Sequence, residues 1–179
     1  MKKNTFNEII KPILVLGCIC LAVTALLAYV NLVTAPIIKA ADEKAAAEAR
    51  AEVLSEAEGF ELIDAKLPDE VTEAYKAENG AGYVFKLSVK GYGGDIVMMC
   101  GIRSDGSIEK CKTLSHNETS GIGSRVVSND SGYSDKYVGK TAEDYEEVDG
   151  VSGATISSKA YKKAISAAFD AYNTVKEAE

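Results

Sequence analysis

Ser152, Gly153, Ala154 and Thr155 stand in the stretch DGVSGATISS, residues 149 to 158, directly ahead of the last strongly helical segment. Ser, Thr and Gly are common where a helix begins, because side-chain oxygens accept hydrogen bonds from backbone N–H groups that have no helical partner. Thr155 or Ser157 alone would meet that need. The other chemistry open to such a stretch is anion binding, since a helix start presents free N–H donors and the positive end of the helix dipole. Gly153 lets the backbone approach a ligand closely, Ala154 removes bulk, and Thr155 places a hydroxyl where a phosphate would sit. The glycine spacing and lysine of a P-loop are absent.

A second polar stretch, HNETSGIGSR, spans residues 116 to 125 and holds His116, the only histidine, with Glu118, Thr119, Gly121 and Gly123. As a histidine, His116 is of the residue type most often used as a base and is a conceivable one here. The plain alternative is a polar loop in which it pairs with a backbone group. No set of nucleophile, base and orienting residue can be assembled around it. A lone histidine without a second ligand is a poor metal site, so neither a catalytic residue nor a metal is expected.

Four cysteines remain. Cys18 and Cys20 lie in an apolar run and read as small core-type residues. Cys100 and Cys111 flank a hairpin expected to turn at Asp105-Gly106, which makes them face each other. A disulfide suits an exported domain. The expected register nevertheless puts the pair at a hydrogen-bonded position, where the Cβ atoms lie further apart, so both redox states stay open.

These residues need a frame. No charge occurs from residue 12 to residue 38, a run of Ile, Leu, Val and Ala bordered by Pro12 and Pro36. As a helix it would reach about 40 Å, enough to cross a bilayer. A cleaved signal after Val33-Thr34-Ala35 is disfavoured by the following Pro36, and a lipid-attachment box at Val15-Leu16-Gly17-Cys18 has too short an apolar lead. A retained transmembrane helix is therefore expected. Lys2, Lys3 and Lys11 precede it, which favours a cytoplasmic N-terminus, residues 1 to 11, and an extracytoplasmic remainder. The first 39 residues hold four Lys and one Glu, net +3, so the overall charge of −7 leaves −10 for the rest. That acidity argues against nucleic acid as a partner.

Residues 39 to 58 are rich in Ala and Glu and predict a helical stalk. Residues 59 to 179 predict one small extracytoplasmic domain. Its expected parts are a short strand near residues 60 to 63, a strand through Val84, Phe85, Leu87 and Val89, and a hairpin of residues 95 to 103 and 107 to 115. A long loop of residues 119 to 147 with short helices follows. Loops of that length inside a domain are usually functional. Tyr161, Ile165, Ala168, Phe169, Tyr172 and Val175 recur at helical spacing, so residues 157 to 176 predict an amphipathic helix packed on the sheet. The class is α+β with an antiparallel sheet.

Taken together, GYGGDIVMMCGIRSDGSI, HNETSGIGSR and DGVSGATISSKA resemble, in order and spacing, the FMN-binding domain family. With the anchor ahead of it the chain resembles the G-subunit family of Rnf-type ion-translocating ferredoxin:NAD oxidoreductases. It is similar, too, to the longer C subunit of the sodium-pumping NADH:quinone oxidoreductase. The resemblance implies covalent FMN, joined as a phosphoester to Thr155. Asp149, Ser152, Gly153 and Ala154 complete the motif that a separate flavin transferase recognises. Glu118 through Gly123 match a loop that lines the isoalloxazine side, with Ser120 where proline is usual. The implied partners are the transferase, the membrane and the other membrane subunits of an Rnf-type complex, in which this subunit relays electrons as part of a translocase. Two other roles stay open. One is a flavinylated carrier of another extracytoplasmic chain. The other is a pilin-like subunit, against which Thr5, Glu8 and Lys11-Pro12 argue.

Overall fold

The computed structural model describes residues 10–178. Contacts divide the chain into two units, one ending at Lys44 and one beginning at Ala45. Helix α1, Lys11–Val53, is continuous through that point. Among the described residues it is the one helix long and apolar enough to cross a membrane. In the first unit its large apolar side chains are exposed, Leu21 by 73% and Leu32 by 77%. Leaving one such side chain in water forgoes about 1.5–3 kcal/mol, so a stripe of them calls for an apolar surrounding. Pro36, expected to border the helix, lies within it. The stalk helix expected to reach residue 58 stops at Val53.

The second unit is built on a meander of five antiparallel strands, paired in chain order. They are β1 Phe60–Leu62, β2 Val71–Ala77, β3 Gly82–Lys90, β4 Asp95–Arg103 and β5 Ile108–Ser115. Side chains alternate across a strand, and β3 and β4 use both faces. Phe85, Leu87, Val89, Met98, Cys100 and Ile102 join one core with the helix α3, Thr155–Glu177. Val84 and Met99 point to the opposite face, where Ala46, Ala49, Val53 and Leu54 cover them. This is why β4 reads as an almost unbroken apolar run: it is buried on both sides. The cover on the second face requires Gly101, since a Cβ there would overlap the Val53 carbonyl. Lys110 and Lys112, both pairing with Glu52, close its edge.

The hairpin register differs from expectation at the turn and agrees at the cysteines. Gly106 N–H donates to Arg103 O, Arg103 N–H donates to Ser107 O, and Gly106 has φ +88°, a three-residue loop with glycine in the left-handed position. That alone would shift the register by one. An irregularity between Gly101 and Ile102 restores it, so that Cys100 pairs with Cys111.

Between β5 and α3 lie the short helix α2, Ser124–Val127, and three single 3₁₀ turns. Rings hold this stretch in place. Tyr133 and Tyr137 are buried, and each ring centroid lies 5.5 Å from that of Tyr161 on α3. Asn129 accepts from the Thr113 N–H at 2.8 Å and donates to the Thr113 carbonyl at 3.0 Å. Helix α3 buries Tyr161, Ile165, Ala168, Phe169, Tyr172 and Val175, the face its periodicity predicts.

Candidate functional site

Helix α3 begins at Thr155, and the residue in the capping position is Ala154, which makes no side-chain cap. Its first bond runs from the Ser158 N–H to the Ala154 carbonyl at 2.9 Å. The N–H groups of residues 155 to 157 thus precede the helical ladder. The serines here serve other partners. Ser158 Oγ accepts from the Val151 N–H at 3.0 Å and folds the preceding turn back on the helix. Gly153 has φ +82° with open space around it, the left-handed conformation that glycine adopts without strain. Thr155 and Gly153 are exposed and Ala154 is buried. Among the described residues, no side chain pairs with the Thr155 hydroxyl.

Ser157 reaches across the fold instead. Its hydroxyl donates to Glu118 Oε2 at 2.6 Å, although the two residues are 39 positions apart. Glu118 Oε1 accepts from the N–H groups of Tyr92 at 2.7 Å and Gly93 at 3.1 Å, in the turn between β3 and β4. One buried carboxylate therefore joins three segments: the β3–β4 turn, the loop after β5 and the start of α3. Burial pushes its pKa up, but the Ser157 hydroxyl and the two backbone donors outweigh that, and the net value is lowered. Glu118 is thus ionised at neutral pH, a desolvated anion kept by its donors. Gly123 packs against it so closely that a Cβ would overlap the carboxylate.

This clamp floors a cavity of about 390 Å³ lined by Tyr92, Glu118, Ile122, Gly123, Thr155 and Ile156, among others. Tyr92, Ile122 and Ile156 stand at its rim with large exposed apolar surfaces, 70%, 51% and 53%. A second cavity of about 470 Å³ lies beside Tyr133, Val151, Ser152, Lys159 and Lys162. Thr155 lines both. The arrangement suits a flat apolar group with polar edges in the first cavity, tied through an oxygen at the mouth.

Of the residues singled out in the sequence, Glu118, Thr119, Gly123, Gly153, Ala154 and Thr155 meet around the first cavity. Ser152 lines the second. Gly121 shapes the loop, with φ +77° and its N–H donating to Ser124 Oγ at 2.9 Å. His116 lines neither cavity. Its Nδ1 accepts from the Glu118 N–H at 3.2 Å, the structural role open to it as the plain alternative. Asp149 is exposed and lines neither cavity. Tyr92, Ile156 and Ser157 do not stand out in the sequence as site residues, whereas Ile122 falls within the Glu118-to-Gly123 loop expected to line the ring. An exposed tyrosine within Gly91-Tyr92-Gly93-Gly94 is the one available signal, because a tight glycine turn gives such a ring nothing to pack on.

Residues 91–170 match the FMN-binding domain, and residues 1–53 match the RnfG N-terminal region. The chain is 32% identical to the G subunit of the ion-translocating oxidoreductase complex of Methanosarcina acetivorans, over 92% of this chain and 94% of that one. It is 29% identical to the G subunit of the Na(+)-translocating ferredoxin:NAD(+) oxidoreductase complex of Acetobacterium woodii, with the same coverage of 92% and 94%. A third relative, the G subunit of the proton-translocating ferredoxin:NAD(+) oxidoreductase complex of Clostridium ljungdahlii, is 27% identical over 87% of this chain and 86% of its own length.

Proposed function

We propose, because the chain belongs to the G-subunit family of ion-translocating oxidoreductase complexes, that it is a membrane-anchored electron carrier with FMN esterified to Thr155. The observation that carries this reading is the position of the Thr155 hydroxyl: exposed, without a side-chain partner among the described residues, and on the wall of a cavity with an apolar rim. The complex it serves passes electrons between ferredoxin and NAD and couples them to ion movement.

The residues present fit the cofactor. Tyr92, Ile122 and Ile156 offer surface to a flat ring, and the glycine at position 123 lets the loop backbone come close. The free N–H groups at the start of α3 and its dipole suit a phosphate on Thr155. When bound, FMN supplies the electron-accepting and electron-donating chemistry. The chain itself binds, orients and tunes. Glu118 holds the three cavity-forming segments in one geometry, and its negative charge in a poorly solvated place disfavours further negative charge nearby.

Threonine is a weak nucleophile without a base, and among the described residues none contacts the Thr155 hydroxyl. A separate, Mg-dependent flavin transferase would therefore take the hydroxyl proton, so that the Thr155 oxygen attacks the FMN phosphoryl of an activated flavin donor and displaces that donor's leaving group. A covalent link keeps the cofactor from being lost by dilution outside the cytoplasm, the side that the positive N-terminal flank favours for this domain. The remaining contacts are with the membrane and with the other membrane subunits of the complex.

Intact-mass measurement of the full chain co-expressed with a flavin transferase tests the assignment. A mass increase equal to FMN less water, together with a fluorescent band after denaturing electrophoresis, is expected. Thr155→Ala should lose both while keeping its circular dichroism. Yellow protein that releases all of its flavin on denaturation would keep the binding site and overturn the ester.

A further inference from the structure

Cys100 and Cys111 line neither cavity, and they face each other across β4 and β5. Their Sγ atoms lie 3.3 Å apart. Both side chains are buried on the face of the sheet that α3 covers, and both are thiols in this structure. We infer that Cys100 and Cys111 are a cross-link site, closing to a β4–β5 disulfide when the chain folds in the presence of a disulfide oxidant.

Four observations support this. The residues are direct register partners on neighbouring strands, so the side chains point the same way. The sulfurs need to approach by about 1.3 Å to reach the bond length of about 2.05 Å. The strands have room to give, because register irregularities bracket the pair, one between Val97 and Met98 and one between Gly101 and Ile102. Thr113 gives its backbone N–H and C=O to Asn129, so Cys111, two positions back on the same strand, also turns its backbone groups away from β4; the pair is a non-hydrogen-bonded one, whose Cβ atoms lie closer together.

The step balances as thiol–disulfide exchange. One cysteine thiolate attacks a disulfide such as that of glutathione and releases one thiol; the second cysteine then attacks the mixed disulfide and releases the other. The chain loses two protons and two electrons, which the oxidant gains. Exchange must precede the docking of α3. Afterwards the neighbouring Cys100 and burial hold the Cys111 thiol well above its ordinary pKa, and little thiolate remains. The hairpin brings the partners, 11 residues apart in sequence, together without α3. The inference is independent of flavin attachment.

The test uses the full chain in detergent with Cys18→Ser and Cys20→Ser, unfolded, reduced and refolded in a glutathione redox buffer. Trypsin cuts after Arg103 and Lys110, which separates the two cysteines. A linked peptide pair lighter by two hydrogens is expected, absent in Cys111→Ser, with a thermal midpoint several degrees above that of the reduced protein. Refolded protein with both thiols alkylated, or with separate glutathione adducts, overturns the inference; so does a link that lowers the midpoint. Where refolding fails, chain alkylated at the moment of cell lysis is digested in the same way. Linked peptides then support the site, and two blocked thiols overturn it.

Discussion

Two loops meet at the first cavity, and they are built in opposite ways. On one side Glu118 receives three donors from two other segments and Gly123 has no room for a Cβ. On the other side Gly153 turns in open space and the Thr155 hydroxyl has no side-chain partner among the described residues. The first loop is over-determined, the second only shaped. That division suits the two tasks of the proposed function: a ring whose electronics the protein tunes needs fixed walls, and a hydroxyl that a second enzyme reaches needs a clear approach.

Substitutions that should be equivalent if the loops were alike sharpen this contrast. Gly123→Ala forces the Glu118 carboxylate and Ser157 apart and should cost about 1–3 kcal/mol or more, read as a lower midpoint in denaturant, with weakened flavin contact. Glu118→Gln replaces charge-assisted hydrogen bonds and should cost about 1.5–3 kcal/mol at neutral pH. Its pH profile has a definite sign. The folded-state pKa of Glu118 is lowered from about 4.5, so the stability it contributes is present above that value and is lost as pH falls through the lower folded value. The gap in thermal midpoint between wild type and Glu118→Gln should therefore narrow from about pH 5 downward; a constant gap would show that the charge plays no part.

On the open side, Gly153→Ala meets no atoms and suffers only backbone strain, about 1–2 kcal/mol, with the cavity intact. If it proved costlier than Gly123→Ala, the contrast between the loops would fail. His116→Ala removes a single acceptor at 3.2 Å and should cost no more than about 1 kcal/mol, leaving the yellow colour unchanged.

Some of this molecule is legible in the sequence, for local reasons. The apolar run, the DG-containing hairpin and the periodicity of α3 each rest on residues within a few positions of one another, and each element is present. Strand β2 is not legible, because an irregularity between Val71 and Glu73 interrupts its alternation, so its burial does not follow a period of two. The cysteine register agrees although the turn does not, because a three-residue loop and a one-residue irregularity offset each other. Ser157 looks like a helix cap because caps are local, whereas its partner is Glu118.

What the sequence determined by itself is the apolar anchor, the α+β class, the motif that ends at Thr155 and the family. All of these are carried by composition, period or contiguous residues. Only the tertiary structure decided that Glu118 gathers the β3–β4 turn, the loop after β5 and the first turn of α3 into one cavity wall, with Tyr92, Ile122 and Ile156 at its rim. The physical reason is distance along the chain. A carboxylate can be buried ionised only where enough donors converge, and here those donors come from residues 92, 93 and 157, which no local pattern connects.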